Sequence, residues 1–89
     1  MTLLKKAQGL VRYYRERIIE DYTDKRWQVS YSIATKLLDM VENERNEMRD
    51  VQNLLTYCEQ IRDEIFHSAY MNLVTVIDDL RLELTQKSS

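Results

Sequence analysis

His67 is the chain's one histidine and Cys58 its one cysteine, so any chemistry that needs either group has a single candidate. A histidine on an exposed bundle helix can carry a phosphoryl group. Phosphotransfer histidines are followed by a lysine and a glycine in small-residue surroundings, whereas Ser68, Ala69, Tyr70 and Met71 follow here. One unsupported titratable group predicts a surface or hydrogen-bonded histidine. Cys58 falls in the middle of an apolar stripe, with only Arg62 at i+4 to lower its pKa. It reads as a small buried hydrophobe rather than a nucleophile.

The carboxylates Asp63, Glu64, Asp78, Asp79 and Glu83 raise the question of a metal. Glu64-Ile65-Phe66-His67 matches once the Glu-x-x-His spacing of di-iron bundles, but those sites take two such pairs and further inward glutamates. Both residues also fall off the apolar stripe. A structural zinc site takes four Cys or His ligands, and this chain has two such residues. No metal and no cofactor is expected. Small helical mutases of this length grip dicarboxylates with inward basic residues, yet Arg45, Arg49 and Arg62 sit at polar or boundary positions. No catalytic residue emerges, and the chain reads as a non-enzyme.

Basic and aromatic residues interleave in Arg12-Tyr13-Tyr14-Arg15-Glu16-Arg17 and again in Lys25-Arg26-Trp27. That pairing suits stacking and phosphate contact with RNA or single-stranded DNA. Tyr14 and Trp27 lie on core stripes, however, and Glu16, Glu20, Asp21 and Asp24 dilute the field. The first 26 residues carry seven Lys/Arg against four acids, and the remainder carries six against eleven. Such asymmetry steers a partner or orients two subunits head to tail. The candidate partner-contacting residues are Arg12, Tyr13, Arg15, Arg17, Lys25 and Arg26.

Ala7-Gln8-Gly9-Leu10-Val11-Arg12-Tyr13-Tyr14-Arg15 resembles the opening helix of the small mitochondrial Leu-Tyr-Arg-motif proteins. Tyr14 and Arg15 match the motif's last two residues, while Tyr13 stands where the motif has leucine. The resemblance covers nine residues of 89. It would imply three helices, and acyl carrier protein and assembly factors as partners. The chain's overall acidity departs from that basic family, and the match does not assign it.

The elements that must position these residues are helices. Proline is absent and Gly9 is the single glycine, which removes the usual turn residues of sheets and ligand loops. Leu3, Leu4, Ala7, Leu10, Val11, Tyr14, Ile18 and Tyr22 share a face at 100° per residue, predicting a helix over 2–22 with Thr2 as N-cap. A second helix over 24–43 carries Trp27, Tyr31, Ala34, Leu37, Leu38 and Val41, widened by Val29, Ile33 and Met40. An arc this broad touches more than one neighbour. Residues 42–47 (ENERNE) predict a tight turn, with Asn43 and Asn46 able to end one helix and start the next, and a continuous charged helix is the alternative.

From Met48 the apolar repeat runs in unbroken phase to Leu84, predicting one helix over 47–85, about 57 Å long at 1.5 Å per residue. The alternative is a break near 67–69, with Ser68 capping a fourth helix. The fold class is all-α, an antiparallel bundle of three helices with a very long third or of four helices. The first two helices, of about 20 residues and 30 Å each, are too short to cover a 57 Å stripe. Dimerisation is therefore expected to complete the bundle, through Val29, Ile33, Met40, Leu73, Val76, Ile77, Leu80 and Leu84.

With no apolar run near the roughly 18 residues of a membrane span and no secretory segment, the chain reads as soluble, unprocessed and cytoplasmic or from another reducing compartment. The function expected is a protein–protein interaction module: an adaptor, assembly factor, chaperone or regulator acting through helical apolar faces. The alternative is a nucleic-acid-associated regulator using the basic N-terminal helix. Its partners are another protein, itself, or nucleic acid, with no membrane.

Overall fold

Thr2 opens the first helix, α1 (Leu3–Glu20), its hydroxyl accepting a hydrogen bond from the Lys5 amide at 3.2 Å. Asp24 does the same for α2 (Lys25–Glu42), accepting from the Arg26 amide at 3.0 Å. A side-chain oxygen at this position takes up one of the N–H groups that a helix start leaves unpaired. The computed structural model describes residues 2–43 and 47–88, apart from the side chains of 87 and 88. Asn43 ends α2 as expected, while Arg45 and Asn46 lie outside the described residues. Glu47, which makes no side-chain capping bond, precedes α3 (Met48–Gln60).

The single helix over 47–85 does not form. The chain leaves α3 at Ile61, makes one 3-10 turn (Arg62–Glu64), and passes through an extended Ile65 into α4 (His67–Ser88). The Glu64 amide donates to the Ile61 carbonyl at 2.8 Å, and the Tyr70 amide starts α4 by donating to Phe66 at 2.9 Å. Ser68 lies in the first turn of α4, one residue past its start at His67, rather than at the N-cap position. Ile61, Ile65 and Ala69 keep the four-residue spacing of a helix because the corner spans the same number of residues as one helical turn. The apolar repeat therefore passes through the corner in phase while the chain reverses. The long axis of the molecule is 45 Å, too short for the roughly 57 Å helix the repeat suggested.

The four helices alternate in direction. A four-residue turn folds α2 back along α1. Lys36 of α2 meets Tyr57 of α3, and Met40 shares a cleft with Asn53, so those two run antiparallel. Lys6 pairs with Asp79 and Tyr14 with Ala69, which sets α4 antiparallel to α1. Helices α2 and α4 meet across the middle, with α1 and α3 on opposite flanks. This is an all-α four-helix bundle, the form taken when four amphipathic helices with short connections bury their stripes together. No strand occurs among the described residues.

Small residues set the closest approach. Ala7, Ser30, Ala34 and Ala69 are all buried, and the Ser30 hydroxyl is satisfied by donating to the Arg26 carbonyl at 2.8 Å. Around them pack Tyr14, Ile33, Leu37, Val51, Leu54, Leu55, Cys58 and Ile65. Leu73, Val76, Ile77 and Leu80 close the core from α4. Five expected subunit contacts, Ile33, Leu73, Val76, Ile77 and Leu80, are thus no more than 5% exposed within the chain itself. Val29, Met40 and Leu84 pack half-buried against the same core. The corner after α3 supplies the cover that a second copy was expected to give. Leu4 and Tyr22, placed on the first stripe, are instead exposed, Tyr22 because α1 has ended before it.

Candidate partner-binding groove

Lys5, Gln8, Gly9 and Arg12 recur at three- and four-residue spacing and so line one edge of α1. Asn72, Thr75 and Val76 do the same on α4. Between the two helices lies an open groove of about 580 Å³, lined by these residues together with Lys6 and Leu10. Its floor is apolar: Val76 is buried and Leu10 half-buried. Amide and hydroxyl groups of Gln8, Asn72 and Thr75 edge it, and three cations rim it. The Thr75 hydroxyl donates to Met71 at 2.8 Å, which leaves its oxygen free to accept.

The three cations differ. Lys6 Nζ donates to Asp79 Oδ2 at 2.9 Å, which fixes α1 against α4 and neutralises that corner of the groove. Lys5 and Arg12 make no ion pair with a described residue. Gly9 lies between them, one turn from Lys5, with an ordinary helical backbone. A Cβ built there would meet nothing within 4 Å. Neither a turn nor a close internal contact calls for glycine at this position.

The six residues singled out by sequence do not form one basic surface. Arg12 lines the groove, and Arg15 and Lys25 are exposed. Arg17 pairs with Glu20 at 2.9 Å and lies 5.4 Å from the centre of the Tyr13 ring, its buried Nε without a partner among the described residues. Arg26 is held by both carboxylate oxygens of Asp24, at 2.9 and 2.8 Å, and covers Phe66. Those hydrogen bonds hold the Asp24 carboxyl below its ordinary range. Tyr13 is exposed and packs edge-on against Trp27 at 6.0 Å. Lys5, Lys6 and Gly9 were missed, although the Lys5–Gly9–Arg12 spacing was legible as one helical edge.

The other candidate groups are separated. Glu64 lies in the 3-10 turn and His67 in α4, so their three-residue spacing does not place them on one helix face. His67 is exposed beside Tyr70, ring centres 6.4 Å apart, in a cleft of about 430 Å³ with Arg62 and Asp63. Cys58 is fully buried, and burial, then the charge of Glu59, pushes its thiol up to about 11. Tyr14 is buried likewise, its hydroxyl donating to the Ala69 carbonyl at 3.3 Å. Burial, then Tyr13 and Cys58, raises that phenol well above its ordinary value. Among the described residues no three His, Cys, Asp or Glu side chains gather as metal ligands. No helix among them is long and apolar enough to cross a membrane.

The nine-residue resemblance to Leu-Tyr-Arg-motif proteins gains no support from the architecture, which has four helices where those proteins have three. Compared with known proteins, the chain matches no family model, no curated protein and no solved structure.

Proposed function

We propose that the chain is a non-enzymatic protein–protein interaction module that offers a helical surface to a partner, as an adaptor, assembly factor, chaperone or regulator does. The observation that carries this is the α1–α4 groove, with its apolar floor and two cations unpaired by any described residue. A concave apolar surface with a few polar groups at its edge is the ordinary form of a binding site. The reactive groups, by contrast, are buried apart from one another or exposed singly. The buried free thiol of Cys58 suits a reducing compartment.

Cross-linking capture of the full chain in its native source, at its native level, tests this proposal. A protein retained in stoichiometric amount over a bare-resin control is the expected result. Turnover of a small molecule by the purified chain in a metabolite screen, or no protein retained above the control, overturns it.

A second function, nucleic-acid association, is favoured by one contact. Tyr13 is exposed with the Arg17 guanidinium against its ring, and Arg12 and Arg15 lie on the same helix. Aromatic–arginine surfaces of this kind stack bases and hold phosphates. Binding of a mixed RNA and single-strand DNA pool should then weaken steeply between 50 and 200 mM salt, on the order of tenfold or more. No retention at low salt removes it.

A further inference from the structure

On the proposed interaction role, we infer that the α1–α4 groove is the docking site and that its occupant is an acidic segment of the partner protein. The carboxylates of that segment sit on Lys5 and Arg12, and one apolar side chain rests on Leu10 and Val76. Seven residues of helix separate Lys5 from Arg12, about 10 Å at 1.5 Å per residue. The segment therefore presents two acids at roughly that distance, either two turns apart on a helix or three residues apart on a strand.

Charge complementarity selects the occupant. The rim carries Lys5, Lys6 and Arg12, no carboxylate is among the groove's described lining residues, and Asp79 is engaged by Lys6. A basic or neutral segment would leave Lys5 and Arg12 facing the interface uncompensated, which disfavours such a partner. The chain as a whole is net −2, so this local positive site is set against the overall balance. A second copy docked groove to groove is disfavoured for the same reason, since the same faces would oppose cations to cations, and a copy docked head to tail would have to present its own acids as the segment does.

Gly9 is the independent observation. Glycine within a helix is unfavourable compared with alanine, and it persists where a backbone must be approached closely. Nothing inside this chain approaches Gly9 within van der Waals distance of a Cβ, and its backbone dihedrals are ordinary. The space over Gly9 is thus open to an approach from outside. Between Lys5 and Arg12, a bare helix surface lets the main chain of the docked segment sit against α1 while its acids reach both cations.

Displayed random 14-residue peptides, selected on the full chain, supply the probe. The selected peptides are then titrated against wild type, Gly9→Gln, the double variant Lys5→Glu/Arg12→Glu, and Arg49→Glu on the far flank as the charge control. Circular dichroism and melting check each variant's fold. Enrichment of peptides bearing paired acids around an apolar residue is expected. Their affinity should fall about tenfold or more in the double variant and severalfold in Gly9→Gln, with less than about a twofold change for Arg49→Glu.

Failure to enrich any peptide overturns the inference, as does enrichment without acids or equal binding to all variants. A 14-nucleotide single strand that binds more tightly than the peptides, and is lost in the same variants, overturns it in favour of nucleic acid. If the partner captured from the native source stays bound to the double variant, the groove is excluded while the interaction role stands. If no protein is captured at all, the role itself fails.

Discussion

The guanidinium of Arg26 lies 3.8 Å from the centre of the Phe66 ring, tying the first turn of α2 to the corner between α3 and α4. The same guanidinium is gripped by Asp24, the residue that caps α2. Trp27, its neighbour, packs against Phe66 at 4.5 Å and against Tyr13 and Tyr14 at 6.0 Å each. Trp27 thereby joins the beginning of α2, the middle of α1 and, through Phe66, the reversal into α4.

Replacing Phe66 by alanine should therefore loosen the whole end of the bundle. Truncation of a large aromatic in a packed site costs about 3–5 kcal/mol, and a half-buried position predicts about 2–4 kcal/mol. Trp27 is the chain's one tryptophan, so its emission reports the change directly. Urea unfolding should show the loss, with a red-shifted native spectrum. A loss below about 1 kcal/mol with unchanged emission means that the corner is held by other contacts.

That corner is also where the sequence was hardest to read. Helix starts at Thr2 and Asp24 follow from local chemistry, a side-chain oxygen within reach of the next amides, and local chemistry is visible in a single chain. The reversal at Ile61–Phe66 has no glycine, proline or capping serine to mark it. It is stabilised by tertiary burial of Ile65 and by the Trp27–Phe66 contact, between segments far apart in sequence. Periodicity reports which residues are apolar, and it is blind to a corner that preserves the repeat. The uncovered stripe that called for a second copy came from that one misplaced boundary. The groove was half legible: Arg12 was named, but pairing it with Asn72 and Val76 needed the α1–α4 contact.

Gly9→Ala should stabilise the chain. The added methyl meets open space, the backbone is already helical, and alanine is favoured over glycine inside a helix by about 0.5–1 kcal/mol. For a domain of this size that raises Tm by roughly 2–8 °C. Differential scanning calorimetry measures it. A lower Tm would show that glycine serves the fold, and would remove the reason for assigning it to an external contact.

Asp79→Asn separates the structural worth of an ion pair from its effect on the groove. Lys6 and Asp79 are about two-fifths and one-third exposed, so the pair contributes under about 1 kcal/mol and less in high salt. Stability should change little. Release of Lys6 adds a third unpaired cation to the rim, so acidic peptides should bind severalfold more tightly, with a steeper dependence on salt. Unchanged affinity at 50 mM salt would place the peptide away from Lys6.

Because Leu73, Val76, Ile77 and Leu80 are covered by the chain's own helices, the protein should remain a 10.8 kDa monomer at about 10 μM. Size-exclusion chromatography with light scattering decides it. A dimer would have to use residues still exposed, such as Ile19, Tyr22 and Leu82, and Leu82→Glu should then dissociate it.

Cys58 gives the fold a measurable pH dependence. Burial raises its thiol from 9.0 to about 11, so between those values the native chain keeps a proton that the unfolded chain loses. The unfolded state is then favoured as pH rises. The thiol's contribution is complete below pH 9 and is lost as pH climbs through about 11. Two pH units correspond to a contribution on the order of 2 kcal/mol. Burial also raises the Tyr14 phenol, so the wild-type slope alone does not isolate the thiol. The difference between wild type and Cys58→Ala isolates the thiol together with its small effect on the Tyr14 phenol, because the remaining groups are common to both. Urea unfolding at half-unit steps from pH 8 to 11 should show the two stabilities converging upward from pH 9, with wild type falling more steeply. Parallel curves would mean that the thiol titrates alike in both states, and thus that water reaches Cys58 in the native protein.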